Sequence, residues 1–486
     1  MQRRRKYCFW LLLGFACCRS LSAQNAGVGD VAPIDQNKDS TTEAVISKEV
    51  KPFIVRNIVI LGNKRTRPDI ILREIPFKPG DVYLLQDLVV KFEVARRQLM
   101  NTSLFHEAIV ALRSFEGYNI DVLVEVKERW YIFPVPYFKP ADRNLNQWLV
   151  EQNASLKRVN YGGKLLYNNV TGRNDKLKFW LINGYTKQLS FNYDRLYIDK
   201  RMKWGMNVGF AMGKNRELNY KTVNNKQNFL NSDDYIRNFV TASAELTYRK
   251  AINTRHRFGI AYTIEDLADT VLKLNPNYFN YEKNRVKYPK LYYMMTYYNV
   301  DYIPYPTKGY AAEITIAKEG FSKFFNLWQL TAKGSGNWTT GKKSFFSLNA
   351  YGTLKLPFSQ PYFNQRLLGY ADVFIQGYEY YVIDGVAGGY LKASFSRKLV
   401  GFNVKMPGTK KIAPQKIPFG IYGRIYGNTG YTYNPNPVNS SLSNKALYSA
   451  GLGIDITTIY DFTFRIDWSF NQLGQNGIFL HKKAVF

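Results

Sequence analysis

The sequence predicts a mainly β protein: a sixteen-stranded antiparallel transmembrane β-barrel preceded by one small α+β domain. Three observations lead there. The chain opens on an export-type leader. It holds 37 Tyr and 16% aromatic residues, yet after residue 23 no uninterrupted apolar run reaches the ~18 residues a membrane helix needs. From residue 129 onward, segments recur in which every second residue is apolar, as expected when only alternate side chains meet lipid.

The leader is MQRRRKYCFWLLLGFACCRSLSAQ. Arg3, Arg4, Arg5 and Lys6 precede the apolar run from Cys8 to Cys18, and Leu21-Ser22-Ala23 is a small-residue cleavage site, so residues 1–23 read as a signal peptide. A lipoprotein signal is the rival reading, but Gly14-Phe15-Ala16 before Cys17 lacks the usual small residues. All three cysteines (Cys8, Cys17, Cys18) lie in that leader, so the exported chain has neither a disulfide framework nor a cysteine metal site. It keeps 62 basic against 37 acidic residues, a net charge of +25. That excess suits outer-membrane lipids or lipopolysaccharide; nucleic acid is disfavoured because the chain is exported. Residues 24–50 are polar and aperiodic and read as a disordered tether.

Residues 51–128 read as one α+β domain. IVRNIVILGNKRT is a strand ending at the Gly62-Asn63 turn. Thr66 offers a helix N-cap, with Pro68 in the first turn and Asp69 three residues after the cap. After Pro79-Gly80, apolar residues at Leu85, Leu88, Val89, Phe92, Ala95 and Leu99 make one helical stripe. Two strands close the unit, His106–Arg113 and Asn119–Lys127, predicting two helices over three strands. IVILGNKRTRPDIILREIPFKPGD, the helix to RRQLMNTSLF, and IDVLVEVKER together resemble a POTRA domain of the BamA/TamA superfamily of outer-membrane assembly and translocation proteins.

Residues 129–486 read as the barrel. In FTFRIDWSF, Phe462, Phe464, Ile466, Trp468 and Phe470 share one face, and Thr463, Arg465, Asp467 and Ser469 the other. RFGIAYTIE and KLKFWLI repeat the pattern. Sixteen strands leave roughly 22 residues per strand and connection, against the ~10 a crossing needs.

Three further stretches resemble the same superfamily. DYIPYPTKGYAAEITIA resembles its Asp, Pro-Thr-x-Gly element, with a turn at Pro306–Gly309. SAGLGIDITTIYDFTFRIDWSF resembles its penultimate hairpin. RLLGYADVFIQGYEYYVIDG, between predicted strands 11 and 12, is similar to its inward-folded sixth loop, whose motif is Val/Ile-Arg-Gly-Phe/Tyr. Ile375, Gln376, Gly377 and Tyr378 match it, with glutamine where the family has an arginine that packs on acidic wall residues. From Gly385 to Ile454 the chain has nine Lys and Arg and neither Asp nor Glu. Asn428 stands about where the family places an acid, so Gln376 and Asn428 are expected to form a neutral docking pair, unless the loop has lost its docking role.

WYIFPVPYF (Trp130–Phe138) is read as the first barrel strand. Pro134 and Pro136, two apart, remove backbone donors from a single edge. If that edge faces the last strand, which ends at Phe486, the seam between first and last strands is weak; alternatively the prolines mark the bend from the small domain into the barrel.

No catalytic motif occurs. His106, His256 and His481 are scattered without metal-ligand spacing, so neither enzyme activity nor a cofactor is expected. The resemblance implies an outer-membrane assembly factor with its POTRA domain in the periplasm. Unfolded outer-membrane clients would add to the edge Glu107, Ala108, Ile109, Val110, Ala111, Leu112, Arg113 and to the seam, and periplasmic accessory lipoproteins are possible partners. A translocator shares these parts but usually has two POTRA domains, where one fits here. The basic stretch 385–454 motivates a third reading, an anion-preferring pore.

Overall fold

A computed structural model of the chain describes residues 52–140, 147–279, 283–322, 325–405, 416–437, 440–458 and 461–482. The expected leader, the tether and Phe486 lie outside these residues.

The small domain runs Phe53–Leu61 (β1), Pro68–Leu72 (α1), Val82–Tyr83 (β2), Leu85–Asn101 (α2), Phe105–Glu116 (β3) and Asn119–Glu128 (β4). Its sheet order is β2-β1-β4-β3, with β1 and β4 parallel. The expected three strands are joined by a fourth, because two residues after the Pro79-Gly80 turn pair with Phe53 and Ile54. Ile120, Val122, Val124 and Val126, alternating along β4, face Leu88, Ala95 and Leu99, one stripe of α2, and all are buried. Each buried Val, Leu or Ile among them contributes about 1.5–3 kcal/mol.

The expected cap at Thr66 is not made. Arg67 is the N-cap residue, without a side-chain cap bond, and the Thr66 hydroxyl instead lies 3.0 Å from the Tyr131 hydroxyl and accepts from Asn169 Nδ2 at 2.9 Å. The hydroxyl thus ties this domain to the barrel, and the helix starts one residue later.

The barrel begins with Ile132–Pro140 (β5), Val159–Asn168 (β6), Lys176–Gly184 (β7), Thr186–Tyr197 (β8) and Trp204–Asn215 (β9). A side hairpin, Glu217–Val223 (β10) and Lys226–Asn231 (β11), precedes Arg237–Tyr248 (β12) and Thr254–Leu267 (β13). After a six-residue helix, Asp269–Leu274 (α3), come Arg285–Val300 (β14), Gly309–Glu319 (β15), Leu327–Thr339 (β16) and Ser344–Leu356 (β17). The long loop that follows holds Arg366–Leu368 (β18) and Ile383–Asp384 (β19). The last wall strands are Ala387–Lys405 (β20), Lys416–Tyr433 (β21), Ala446–Thr457 (β22), Thr463–Asn471 (β23) and Asn476–Lys482 (β24). β5–β9, β12–β17 and β20–β24 form one sixteen-stranded antiparallel sheet.

The curling sheet brings the entry to its first strand beside the next-to-last: Arg129, just before β5, donates to Asp461, just before β23, at 2.8 and 3.1 Å. Its outer face is apolar and its inner face polar. On β23, Phe464, Ile466, Trp468 and Phe470 are exposed, whereas Asp467 and Ser469 are fully buried. Ionic groups thus sit inside, and lipid meets hydrocarbon.

Asp301 explains the Pro-Thr-x-Gly turn between β14 and β15. Its carboxylate accepts from the backbone N–H groups of Thr307 and Lys308 and from the Thr307 hydroxyl. Gly309 has φ +105°, and a Cβ there would fall 2.1 Å from the Asn299 carbonyl oxygen.

Candidate functional site

Three candidate sites stand out: the outer edge of β5, the inward loop, and the joint between the small domain and the barrel.

On β5 the parity of the ladder decides the role of the prolines. Ile132 pairs with Tyr167, and one step earlier Asn168 N–H donates to the Tyr131 carbonyl at 2.8 Å. In an antiparallel pair alternate residues aim both backbone groups at the same neighbour. Phe133, Val135, Tyr137 and Lys139 therefore bond β6, while Ile132, Pro134, Pro136, Phe138 and Pro140 face away. Three of those five have no N–H, one more than the two read from the sequence. The strand starts two residues later than expected, and the ladder to β6 runs without a bulge through all three prolines. The edge they impoverish is the one turned from β6. Among the described residues no ladder joins β5 to β24.

The loop between β17 and β20, the eleventh and twelfth wall strands, folds inward, with Ile375, Gln376 and Tyr378 buried. Gly377 has φ +89°, and a Cβ there would lie 3.2 Å from that of Ser449, so glycine lets the loop lie against the wall. The expected Gln376–Asn428 pair is not formed. Gln376 Nε2 donates to Asp467 Oδ2 at 2.8 Å, and Asn428 Nδ2 donates to Ser449 Oγ at 3.0 Å. Both amides line one polar cavity of about 90 Å³.

The acids absent from 385–454 come from just beyond it, Asp455 on β22 and Asp467 on β23. Arg424 on β21 bonds the other oxygen of Asp467, and Arg465 grips Asp455 through Nε at 2.9 Å and Nη2 at 3.1 Å. The guanidinium that the family resemblance led one to expect on the loop is here on the wall. Arg465 and Asp467 stood on the polar face of FTFRIDWSF, so the signal was present; their partners lie on other strands.

The same loop also grips the final strand. Glu379 Oε1 lies 3.1 Å from His481 Nε2, the Phe374 ring stacks on His481 at 4.8 Å, and Tyr380 meets Phe479 edge-on at 5.5 Å. At the far end from the small domain, the β10–β11 hairpin meets the inward loop and the segment before β22. Asn225, fully buried at the tip of the β10–β11 hairpin, donates to Ser440 Oγ, and its carbonyl accepts from Ser441 and Leu442.

The small domain is clamped to the near rim. Arg249 after β12 donates through both terminal nitrogens to Glu74 at 2.6 Å. Burial alone would raise the Glu74 carboxyl, but the charges and hydrogen bond of Arg249, with Arg73 beside it, hold it at about 2. Asp461 takes Arg129, the Tyr302 hydroxyl and Ser103, while Arg65 Nε donates to the Asn169 carbonyl at 2.9 Å. Met202, in the turn before β9, enters the small domain's apolar core.

Segment Glu107–Arg113 lies on β3, an edge strand bonded only to β4. Arg129 N–H donates to the Leu104 carbonyl and Ile54 N–H to that of Tyr118, so odd residues of β4 face β3 and even ones face β1. With Glu107, Ile109 and Ala111 opposite Lys127, Glu125 and Leu123, it is Ala108, Val110 and Leu112 that turn their backbone groups to the open side. His106 is half-buried on β3, His256 contacts the Tyr293 hydroxyl and His481 meets Glu379. Among the described residues no cluster of His, Cys, Asp and Glu could hold a metal.

Comparison with known proteins agrees with this architecture. The POTRA model, described as a surface antigen variable number repeat, matches residues 53–129, and an Omp85 superfamily domain model matches residues 169–471. The outer membrane protein assembly factor BamA of Neorickettsia risticii (strain Illinois) is 33% identical over 79 residues, 16% of this chain and 10% of that protein, so the match spans about a tenth of the relative's length. Among solved structures, BamA from Haemophilus ducreyi lacking POTRA domains 1–3 is 14% identical (TM-score 0.47, covering 88% of this chain and 83% of that one). CdiB from Escherichia coli is 9% identical (TM-score 0.48, covering 92% and 91%). The chain belongs to the Omp85 superfamily: it is an outer-membrane β-barrel protein with a periplasmic POTRA domain.

Proposed function

We propose that this protein assembles other β-barrel proteins into the outer membrane, without catalytic chemistry. The observation that carries the reading is the β5 edge, where Pro134, Pro136 and Pro140 leave only Ile132 and Phe138 as donors. In hydrocarbon each unmade backbone bond costs several kcal/mol, so a closed barrel normally satisfies every one. A seam with three donors missing is the cheapest place to open, and an opened edge templates an incoming strand. The open side of β3 would receive extended clients in the periplasm, and strand pairing with burial would drive assembly. A relative over part of the chain is named as an outer membrane protein assembly factor, BamA, in line with this reading. The hairpin contacts made by Asn225 speak against an open anion-preferring pore.

The test is purified protein in liposomes with an unfolded β-barrel client. Folding of the client should accelerate several-fold over empty liposomes. Equal rates, together with export of a soluble partner by cells carrying the protein, would favour the translocator instead.

A further inference from the structure

β20 and β21 are 19 and 18 residues long, the longest of the wall strands, with β14 next at 16. On one side β17 stops pairing at Ser344 opposite Arg397; on the other β22 stops at Thr457 opposite Gly420. Thr457 lies beside the turn that carries Asp461, so this end faces the POTRA domain. Beyond it β20 and β21 pair only with each other, out to Lys405 opposite Lys416. The wall therefore continues into the periplasm as a two-stranded ribbon.

The ribbon is strictly two-sided. Cross-strand pairs Phe402–Phe419 and Val404–Ile417 occupy one face, in line with Val400–Ile421 where β22 still flanks the pair, and the two phenylalanine rings stack at 5.4 Å and 12°. The other face carries Gly401, Asn403 and Lys405 opposite Gly420, Pro418 and Lys416. Along β21 the even residues Arg424, Tyr426 and Asn428 are buried inward, so the odd residues, from exposed Ile425 to Ile421, Phe419 and Ile417, continue the lipid-facing side of the wall. Val400, Phe402 and Val404 are 48%, 47% and 41% exposed, an apolar face with nothing over it among the described residues. A bare two-stranded hairpin is at best marginally stable in water, so this face calls for a cover.

We propose that the ribbon lies on the periplasmic leaflet of the outer membrane, with its apolar face at the boundary between headgroups and acyl chains. The face is continuous with the barrel's own lipid-facing surface. At Leu399 the register shifts, and such a bulge bends a strand where its neighbours no longer hold it. An outward bend turns the outer face up toward the bilayer. Arg397, Lys398 and Lys405 are exposed along β20, with no acid between Gly385 and Ile454, which matches anionic phospholipid phosphates.

The full exported chain has no native cysteine, so single-cysteine variants Phe402→Cys and Asn403→Cys can each carry a nitroxide in vesicles of phosphatidylethanolamine and phosphatidylglycerol, after a check that the barrel migrates as folded. The spin label at 402 should collide more with oxygen than with a water-soluble nickel chelate, and that at 403 the reverse. Replacing phosphatidylglycerol by phosphatidylcholine, or making Lys398→Glu with Lys405→Glu, should reduce the oxygen preference at 402. Equal nickel access at both positions would mean a ribbon standing in water, and shielding from both reagents would mean a protein or second copy covers it; either overturns the proposal. Client folding is not read in this experiment, so its outcome is independent of the assembly activity.

Discussion

Gln376 on the inward loop and Asp467 on β23, 91 residues apart in sequence, are joined by a 2.8 Å hydrogen bond at a site where Arg424 holds the other carboxylate oxygen. A neutral loop residue suffices there because the wall provides its own cation. Two carboxylates, Asp455 and Asp467, face two guanidiniums, Arg424 and Arg465, so the charges already balance. A loop arginine would add a further cation to a cavity that Arg424, Arg465 and Lys392 already line.

Gln376→Arg alone should therefore loosen the loop, and Arg424→Gln alone should strand a buried carboxylate at a cost of about 3–5 kcal/mol. The double variant, which moves the cation from wall to loop, should recover much of that loss. Denaturation midpoints of the folded barrel, with proteolysis of the loop, report all three; a double variant worse than both singles contradicts the charge-balance account.

Restoring the missing donors on β5 should close the seam. Pro134→Val with Pro136→Val is expected to slow client folding in liposomes while raising the barrel's resistance to hot detergent. An unchanged rate would indicate that the prolines only shape the entry from the POTRA domain.

On the POTRA edge, Val110→Pro removes a donor that faces away from β4 and so spares the ladder, whereas Ile109→Pro deletes a bond to β4. The first should weaken crosslinking to an extended client peptide with the POTRA fold retained, and the second should unfold the sheet; circular dichroism separates the cases. Equal crosslinking by Val110→Pro and wild type would place the client elsewhere.

The clamp between POTRA and barrel should be acid-labile in a defined window. Glu74 has a folded-state pKa of about 2 against an ordinary 4.5, so its contribution is complete above pH 4.5 and fades as pH falls through about 2. Glu74→Gln leaves Arg249 uncompensated at all pH values and should cost about 3–5 kcal/mol of docking. Hydrogen-exchange protection in the turn after β12, taken relative to the intrinsic exchange rate at each pH, should fall in acid for wild type and be low throughout for the variant.

The period-two alternation, the apolar stripe of α2 and the proline spacing were legible in the sequence because each is local: a strand turns its side chains over at every residue, wherever it sits. That determined a barrel with a small α+β domain ahead of it, and an edge short of donors. The tertiary structure alone decided which edge that was, through the bond from Asn168 to Tyr131. It also decided that Gln376 meets Asp467 instead of Asn428, that Glu74 meets Arg249, and that Thr66 joins two domains instead of capping a helix. These partners lie on different strands or domains, and register and curvature of the sheet, which no local period encodes, choose who faces whom across the lumen and the rim.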